Sequence, residues 1–159
     1  MVKESRRQEL VEEFLRGIGK MVRGMDAVFR KEMERYEVTW PQFYLMKAVK
    51  RADGITVTEL SNLMMITAPT ASRMIDGLCS KGLLDKVKDT ADHRVTRLNL
   101  TPGSRDLVQT LTAMQNRVMM EVFEGEETAE LERTVDHLGR IAGRWLDLGE
   151  KTMKRSSGE

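Results

Sequence analysis

Residues 56–101 read TVTELSNLMMITAPTASRMIDGLCSKGLLDKVKDTADHRVTRLNLT, and this stretch decides how the rest of the chain is read. Thr56-Val57-Thr58-Glu59 fits a capping box, in which a hydroxyl accepts from the N–H three residues on and a glutamate there reaches back. The short helix that it opens carries Leu60, Leu63 and Met64 on its apolar side. Met65-Ile66-Thr67 reads as a turn. A second helix begins at Thr67 or Ala68, with Pro69 in the first turn, where a missing N–H is tolerated. Its inner face is Ala71, Met74, Ile75 and Leu78, spaced three or four apart, and its outer face is Ser72, Arg73, Asp76 and Ser80. Gly82 is the expected left-handed stop.

Two strands follow, Leu83 to Asp89 and Val95 to Leu100. Leu98 and Leu100 alternate with Arg97 and Asn99, as a half-buried strand requires. The hairpin tip is Asp89-Thr90-Ala91-Asp92-His93-Arg94. Helix, turn, helix and arginine-tipped hairpin together make the layout of a winged helix-turn-helix. One helix suits a DNA major groove, and the wing suits the backbone or the minor groove.

Outward from this stretch the chain is helical. Residues near 5 to 36 read as one long helix, with Leu10, Phe14, Ile18, Met21, Val22, Met25, Val28, Phe29, Met33 and Tyr36 mostly three or four apart. Gly17, Gly19 and Gly24 interrupt this helix, each costing about 1 kcal/mol relative to alanine. Thr39-Trp40-Pro41 starts a helix through Phe43, Leu45, Met46 and Val49, which Asp53-Gly54 ends. Ile55 to Val57 has room for only a small strand. Thr101-Pro102 caps a helix through Leu107, Leu111, Met114, Val118 and Val122, and Gly125-Glu126-Glu127 breaks it. A last helix places Leu131, Val135, Leu138, Ala142 and Trp145 on one face, and the tail from Lys154 to Glu159 reads as frayed. The fold class is mainly α with a small β-wing (α+β). A lobe of residues 39–101 is the reading head, integrated with a helical dimerisation region of residues 1–38 and 102–159.

Composition narrows the functions. With 159 residues and 40% hydrophobic content the chain suits one compact domain or a small domain with helical extensions, and aromatics at 5% leave the core to Leu, Val, Ile and Met. No apolar run approaches the roughly 20 residues that span a membrane. The single cysteine, Cys79, excludes an intrachain disulfide framework and fits a reducing cytoplasm. Net charge is only +1, but residues 69–105 hold seven basic and four acidic residues, net +3, against −2 for the remainder. His93 and His137 are far apart, no Cys/His spacing fits zinc, and neither a nucleophile elbow nor a phosphate-binding glycine loop is present. No metal, cofactor or catalytic set is expected, and the chain reads as a binding protein rather than an enzyme.

The order of elements resembles the MarR family of prokaryotic transcription regulators over nearly the whole chain. Asp89-x-x-Asp92-x-Arg94-x-x-x-Leu98-x-Leu100-Thr101-x-x-Gly103 is similar to the family's wing signature, and Pro69 to Leu83 is similar to its recognition helix. Gly77, Cys79 and Ser80 depart from the charged residues that members often carry there. The resemblance implies a homodimer with interleaved terminal helices, a wing arginine in the minor groove, and effectors bound between the dimer helices and the DNA-binding lobe.

On this reading Arg73 makes two hydrogen bonds to guanine or grips a phosphate, among the small Thr67, Pro69, Thr70 and Ser72. Arg94 enters the minor groove with Asp92 holding its guanidinium. Lys86, Lys88 and Arg97 are candidate phosphate contacts, each equally readable as solvated strand residues. Cys79 reads as a small buried thiol. Met21, Met25, Trp40 and Tyr44 form a candidate pocket for an apolar or aromatic effector, the alternative being core and dimer packing. The function expected is a homodimeric repressor that binds double-stranded DNA at a pseudo-palindromic operator and is released by a small effector. The alternatives are a winged-helix protein-interaction module, a ligand-independent DNA-binding protein and a small enzyme.

Overall fold

The computed structural model describes residues 2–156, with side chains omitted at 2–4, 150 and 153–156. Its elements run α1 (Val2–Arg35), α2 (Trp40–Arg51), α3 (Val57–Leu63), α4 (Ala68–Ser80), β1 (Leu84–Lys88), β2 (Thr96–Leu100), α5 (Pro102–Val122) and α6 (Thr128–Ser156). They fall into two compact units, one up to Phe43 and one from Tyr44 onward.

In the first unit α1 is one continuous helix through all three glycines, the single long helix that the apolar spacing calls for. A Cβ added at Gly17 or Gly24 meets nothing within 4 Å, so neither glycine makes room for packing within the chain. The helix ends at a left-handed Glu37 (φ 51°), with Glu37 N donating to Glu34 O and Val38 N to Met33 O, a Schellman closure. Thr39 then caps α2 reciprocally. Its backbone N–H donates to Gln42 Oε1 at 3.0 Å, and Gln42 N donates to Thr39 Oγ1 at 3.4 Å. Trp40 packs edge-on to Phe29, centroids 5.1 Å apart, and tilts against Phe43 at 5.9 Å.

In the second unit, three helices start on threonine caps: Thr56 for α3, Thr67 for α4 and Thr101 for α5. The capping box at Thr56 and Glu59 is complete, and Pro69 lies in the first turn of α4. The turn between α3 and α4 is again a Schellman closure, on a left-handed Met65 (φ 51°). Gly82 (φ 66°) closes α4 in the same way, with Leu83 N donating to Leu78 O.

The wing pairs β1 and β2 antiparallel, from Leu84 opposite Leu100 to Lys88 opposite Thr96. The short Ile55–Val57 segment adds a single bridge, Thr56 opposite Arg97, and Leu98 N donates to Ile55 O at 2.9 Å. Leu98 and Leu100 face the core with Leu60, Ala71, Ile75, Leu78, Leu84 and Val108. Ser104 is buried and satisfied, its hydroxyl 2.6 Å from Leu83 O. Leu63 departs from its expected inward place and is 61% exposed.

The helix predicted to end in a frayed tail runs on through Ser156, and the last three residues lie outside the described ones. Large apolar side chains remain exposed on α1 (Leu10, Phe14, Ile18) and α6 (Leu138, Trp145, Leu148). No helix among the described residues is long and apolar enough to cross a membrane.

Candidate nucleic-acid interface

The exposed face of α4 and the wing form the candidate site, both within the second unit. At the N-terminus of α4 the hydroxyls of Thr67 and Thr70 lie 2.9 Å apart, and Thr67 Oγ1 accepts from Thr70 N at 3.4 Å. Pro69 has no N–H and that of Thr70 is taken by Thr67, so this first turn offers a phosphate the helix dipole and the two hydroxyls. Pro69, Arg73, Asp76 and Ser80 are exposed along the helix and Ser72 is half-buried, while Ala71, Ile75 and Leu78 anchor the opposite face. Ser80 turns its hydroxyl back to Gly77 O at 2.9 Å. Cys79 is half-buried, and burial pushes its thiol pKa up, so the thiol stays protonated at neutral pH.

The wing tip is organised by two aspartates. Asp89 Oδ1 accepts from Ala91 N at 2.8 Å and Asp92 N at 3.1 Å. Asp92 Oδ1 accepts from Arg94 N at 2.9 Å. Asp92 thus holds the backbone of Arg94 and not its guanidinium, which corrects the pairing expected from the sequence. The turn is built from side chain-to-backbone bonds, and these leave the Arg94 side chain exposed. Among the described residues neither Arg94 nor Arg73 forms an ion pair.

The other basic residues of the wing are engaged. Lys86 Nζ lies 2.5 Å from Asp76 Oδ1, and Lys88 Nζ donates to Thr96 Oγ1 at 3.2 Å. Arg97 Nε donates to Asp89 Oδ2, and its NH1 donates to Gly54 O at 2.9 Å. The bonds from Asp92 N, Arg97 and Ala91 N hold the Asp89 carboxyl down at a pKa of about 2. The Asp89–Arg97 pair and the Asp76–Lys86 pair join residues eight and ten apart, and no helical or strand periodicity announces either.

The residues expected to line an effector pocket are placed as follows. Met21 is exposed and Met25 half-buried on α1, and Trp40 sits in the aromatic cluster of the first unit. Tyr44 belongs to the second unit. It is 41% exposed and takes a hydrogen bond from Gln115 Nε2 at 3.3 Å. The second unit also holds a groove of about 550 Å³ that sequence reading missed. Ala48, Leu63, Val108 and Ala113 give it an apolar lining, and Lys47, Lys50 and Arg51 a cationic side. The exposure of Leu63 was the missing signal, since its spacing alone reads as core. Among the described residues no cluster of three or more His, Cys, Asp or Glu side chains could hold a metal ion.

A threonine-capped helix projecting from a helix-turn-helix, beside a two-stranded wing with an exposed arginine at its tip, defines a winged helix-turn-helix DNA-binding protein. The family model described as MarR family matches residues 38–96. A relative from Bacillus subtilis (strain 168), the uncharacterized HTH-type transcriptional regulator YsmB, is 32% identical over 77% of this chain and 89% of its own length. The chain belongs to the MarR family and is a DNA-binding transcriptional regulator, not an enzyme.

Solved structures share the fold. Streptococcus pneumoniae FabT, determined in complex with DNA, superposes with a TM-score of 0.78 at 19% identity, covering 88% of this chain and 98% of its own. Bordetella bronchiseptica BpsR, whose DNA binding is regulated by 6-hydroxynicotinic acid, superposes with a TM-score of 0.65 at 22% identity, covering 79% and 89%.

Proposed function

We propose that this chain is a homodimeric repressor acting in the cytoplasm, with α4 in the major groove and the wing in the minor groove of a pseudo-palindromic operator. The observation that carries this reading is the pair of exposed guanidinia, Arg73 on α4 and Arg94 at the wing tip, neither ion-paired among the described residues. Arg73 reads a base edge or phosphate, with Thr67, Pro69, Thr70 and Ser72 fitting closely around it. Arg94 meets the narrow minor groove from a turn held by Asp92. Lys86 and Lys88 are phosphate contacts once they exchange their side-chain partners for DNA, whereas Arg97 is engaged inside the lobe. The apolar side chains left exposed on α1 and α6 support a dimer built from residues 1–38 and 102–159 around lobes of residues 39–101. Selection of duplexes from a random pool tests the whole reading. Recovery of a two-fold repeated motif bound by two chains supports it, and a pool without enrichment rejects it.

Release by a small molecule is part of the same proposal. FabT and BpsR carry the fold to DNA and to a ligand respectively, and the groove beside Leu63 offers an apolar floor with cations on one side. An aromatic or apolar acid that prefers the non-binding arrangement lowers operator affinity by its own preference for that state, and DNA weakens the ligand by the same factor. Calorimetry with a panel of aromatic acids, with and without the selected duplex, tests this. Met21, Met25, Trp40 and Tyr44 remain the alternative location, and alanine substitution at Leu63 against Met25 separates the two.

A further inference from the structure

We infer that Arg97 is a positioning residue for the wing, holding Arg94 in place for DNA through Asp89 and Gly54 rather than touching DNA itself. The inference rests on the proposed role of Arg94 in the minor groove.

The geometry is specific to one side chain. Arg97 lies on β2, where its backbone opposes Val87 of β1 on one edge and Thr56 on the other. Its guanidinium reaches two further points: Nε donates to Asp89 Oδ2, and NH1 donates to the Gly54 carbonyl at 2.9 Å. Asp89 is the residue at which the tip leaves β1, and its other carboxylate oxygen takes the backbone N–H groups of Ala91 and Asp92. Gly54 precedes the segment that leads into α3 and sits at φ 77°, and a Cβ there would come within 3.4 Å of Arg97 Cδ. One guanidinium therefore ties the root of the tip turn to the segment entering the helix-turn-helix. Arginine suits this because its planar fork offers donors in different directions at fixed angles, which a lysine cannot do. The Asp89 side chain is only 13% exposed while that of Arg97 is 46% exposed, so the carboxylate is enclosed by its partners.

A wing attached only by its two strands pivots on the hairpin, and a pivot at the root displaces a side chain five residues away at the tip. Orientation of a contact group is where small displacements weaken binding most. The chain spends two directed hydrogen bonds on that root.

Asp89→Asn gives a test of sign. It removes a negative charge beside a polyanion and frees Arg97, so a phosphate-contact role for Arg97 requires equal or tighter DNA binding. The asparagine carbonyl still accepts from Ala91 and Asp92, so the turn persists, but its amide opposes the guanidinium. The positioning role requires affinity for a duplex selected by the wild-type chain to fall about tenfold. Arg97→Gln should produce a similar loss, and none beyond that of Arg94→Ala when the two are combined, because it acts through Arg94. Losses that add in the double variant, or unchanged or tighter binding by Asp89→Asn, overturn the inference. Binding is measured by fluorescence anisotropy on full-length chains with unaltered circular dichroism; if Arg97→Gln fails to fold, the Asp89→Asn sign decides. If Arg94→Ala itself binds as wild type, the wing reading fails, a result distinct from failure of the strut.

Discussion

Lys86 on β1 reaches Asp76 on the exposed face of α4, Nζ to Oδ1 at 2.5 Å, and so joins the wing to the recognition helix by a pair that stands in solvent. Side-chain exposures of 40% and 63% keep its contribution to stability below about 1 kcal/mol. Its larger effect is on charge available to DNA. Asp76→Asn should leave the melting temperature nearly unchanged and tighten DNA binding, steepening the dependence of log K on log salt by about 0.9 for the phosphate that Lys86 then meets. Salt titrations by anisotropy check this, and weaker binding would show that the pair orients the helix.

Arg73 and Arg94 should fail differently. Arg73→Ala should cost about 1–3 kcal/mol and relax preference at one base position per half-site. Arg94→Ala should weaken binding across sequences and flatten the salt dependence. Repeating duplex selection with each variant separates the two, and equal, sequence-blind losses would assign Arg73 to a phosphate.

The capping box at Thr56 and Glu59 is complete, with Glu59 N donating to Thr56 Oγ1 at 3.2 Å and Thr56 N to Glu59 Oε2 at 2.8 Å. Thr56→Ala should destabilise the fold by about 1 kcal/mol in urea unfolding. A loss near zero would mean that tertiary packing alone holds α3.

The Asp89 carboxyl, held at about 2, lies below its ordinary value near 3.9. A lowered folded pKa contributes stability that is fully present above the unfolded value and is lost as pH falls through the folded one. The stability difference between wild type and Asp89→Asn should therefore be flat from neutral pH to about 5 and shrink between roughly pH 4 and 2. Urea unfolding across that range checks it; a difference that instead changes between pH 6 and 8 would assign the effect to another group.

Trp145 on α6 is 64% exposed in the single chain. Trp145→Glu should shift the dimer toward monomer and, by separating the two heads, weaken DNA binding. Light scattering at micromolar concentration reads the first effect, and an unchanged mass would place the interface elsewhere.

The head was legible where its instructions are local. Thr56 with Glu59, Pro69 after Thr67, Gly82 after Ser80, and Leu98 alternating with Asn99 each act through neighbours, and each element lies within a residue or two of its expected place. What failed was what is decided at a distance or by tolerance. The ends of the first and third helices are legible near 36 and 65, but not their left-handed backbone, which Glu37 and Met65 adopt without being glycine. Leu63 has core spacing but faces outward. Arg97 reaches Gly54, 43 positions earlier in the chain, and sequence spacing cannot reveal that partner.

The threonine caps at 56, 67 and 101 have a kinetic meaning. Each starts its helix from groups within three residues, and the hairpin between them pairs Lys88 with Thr96, so most of the reading head closes short loops. The entropy of closing a loop rises with its length, and chains dominated by local contacts fold in microseconds to milliseconds. Local closure of this kind should let the head fold ahead of any pairing of two chains, and a refolding phase that slows on dilution would then report the pairing alone.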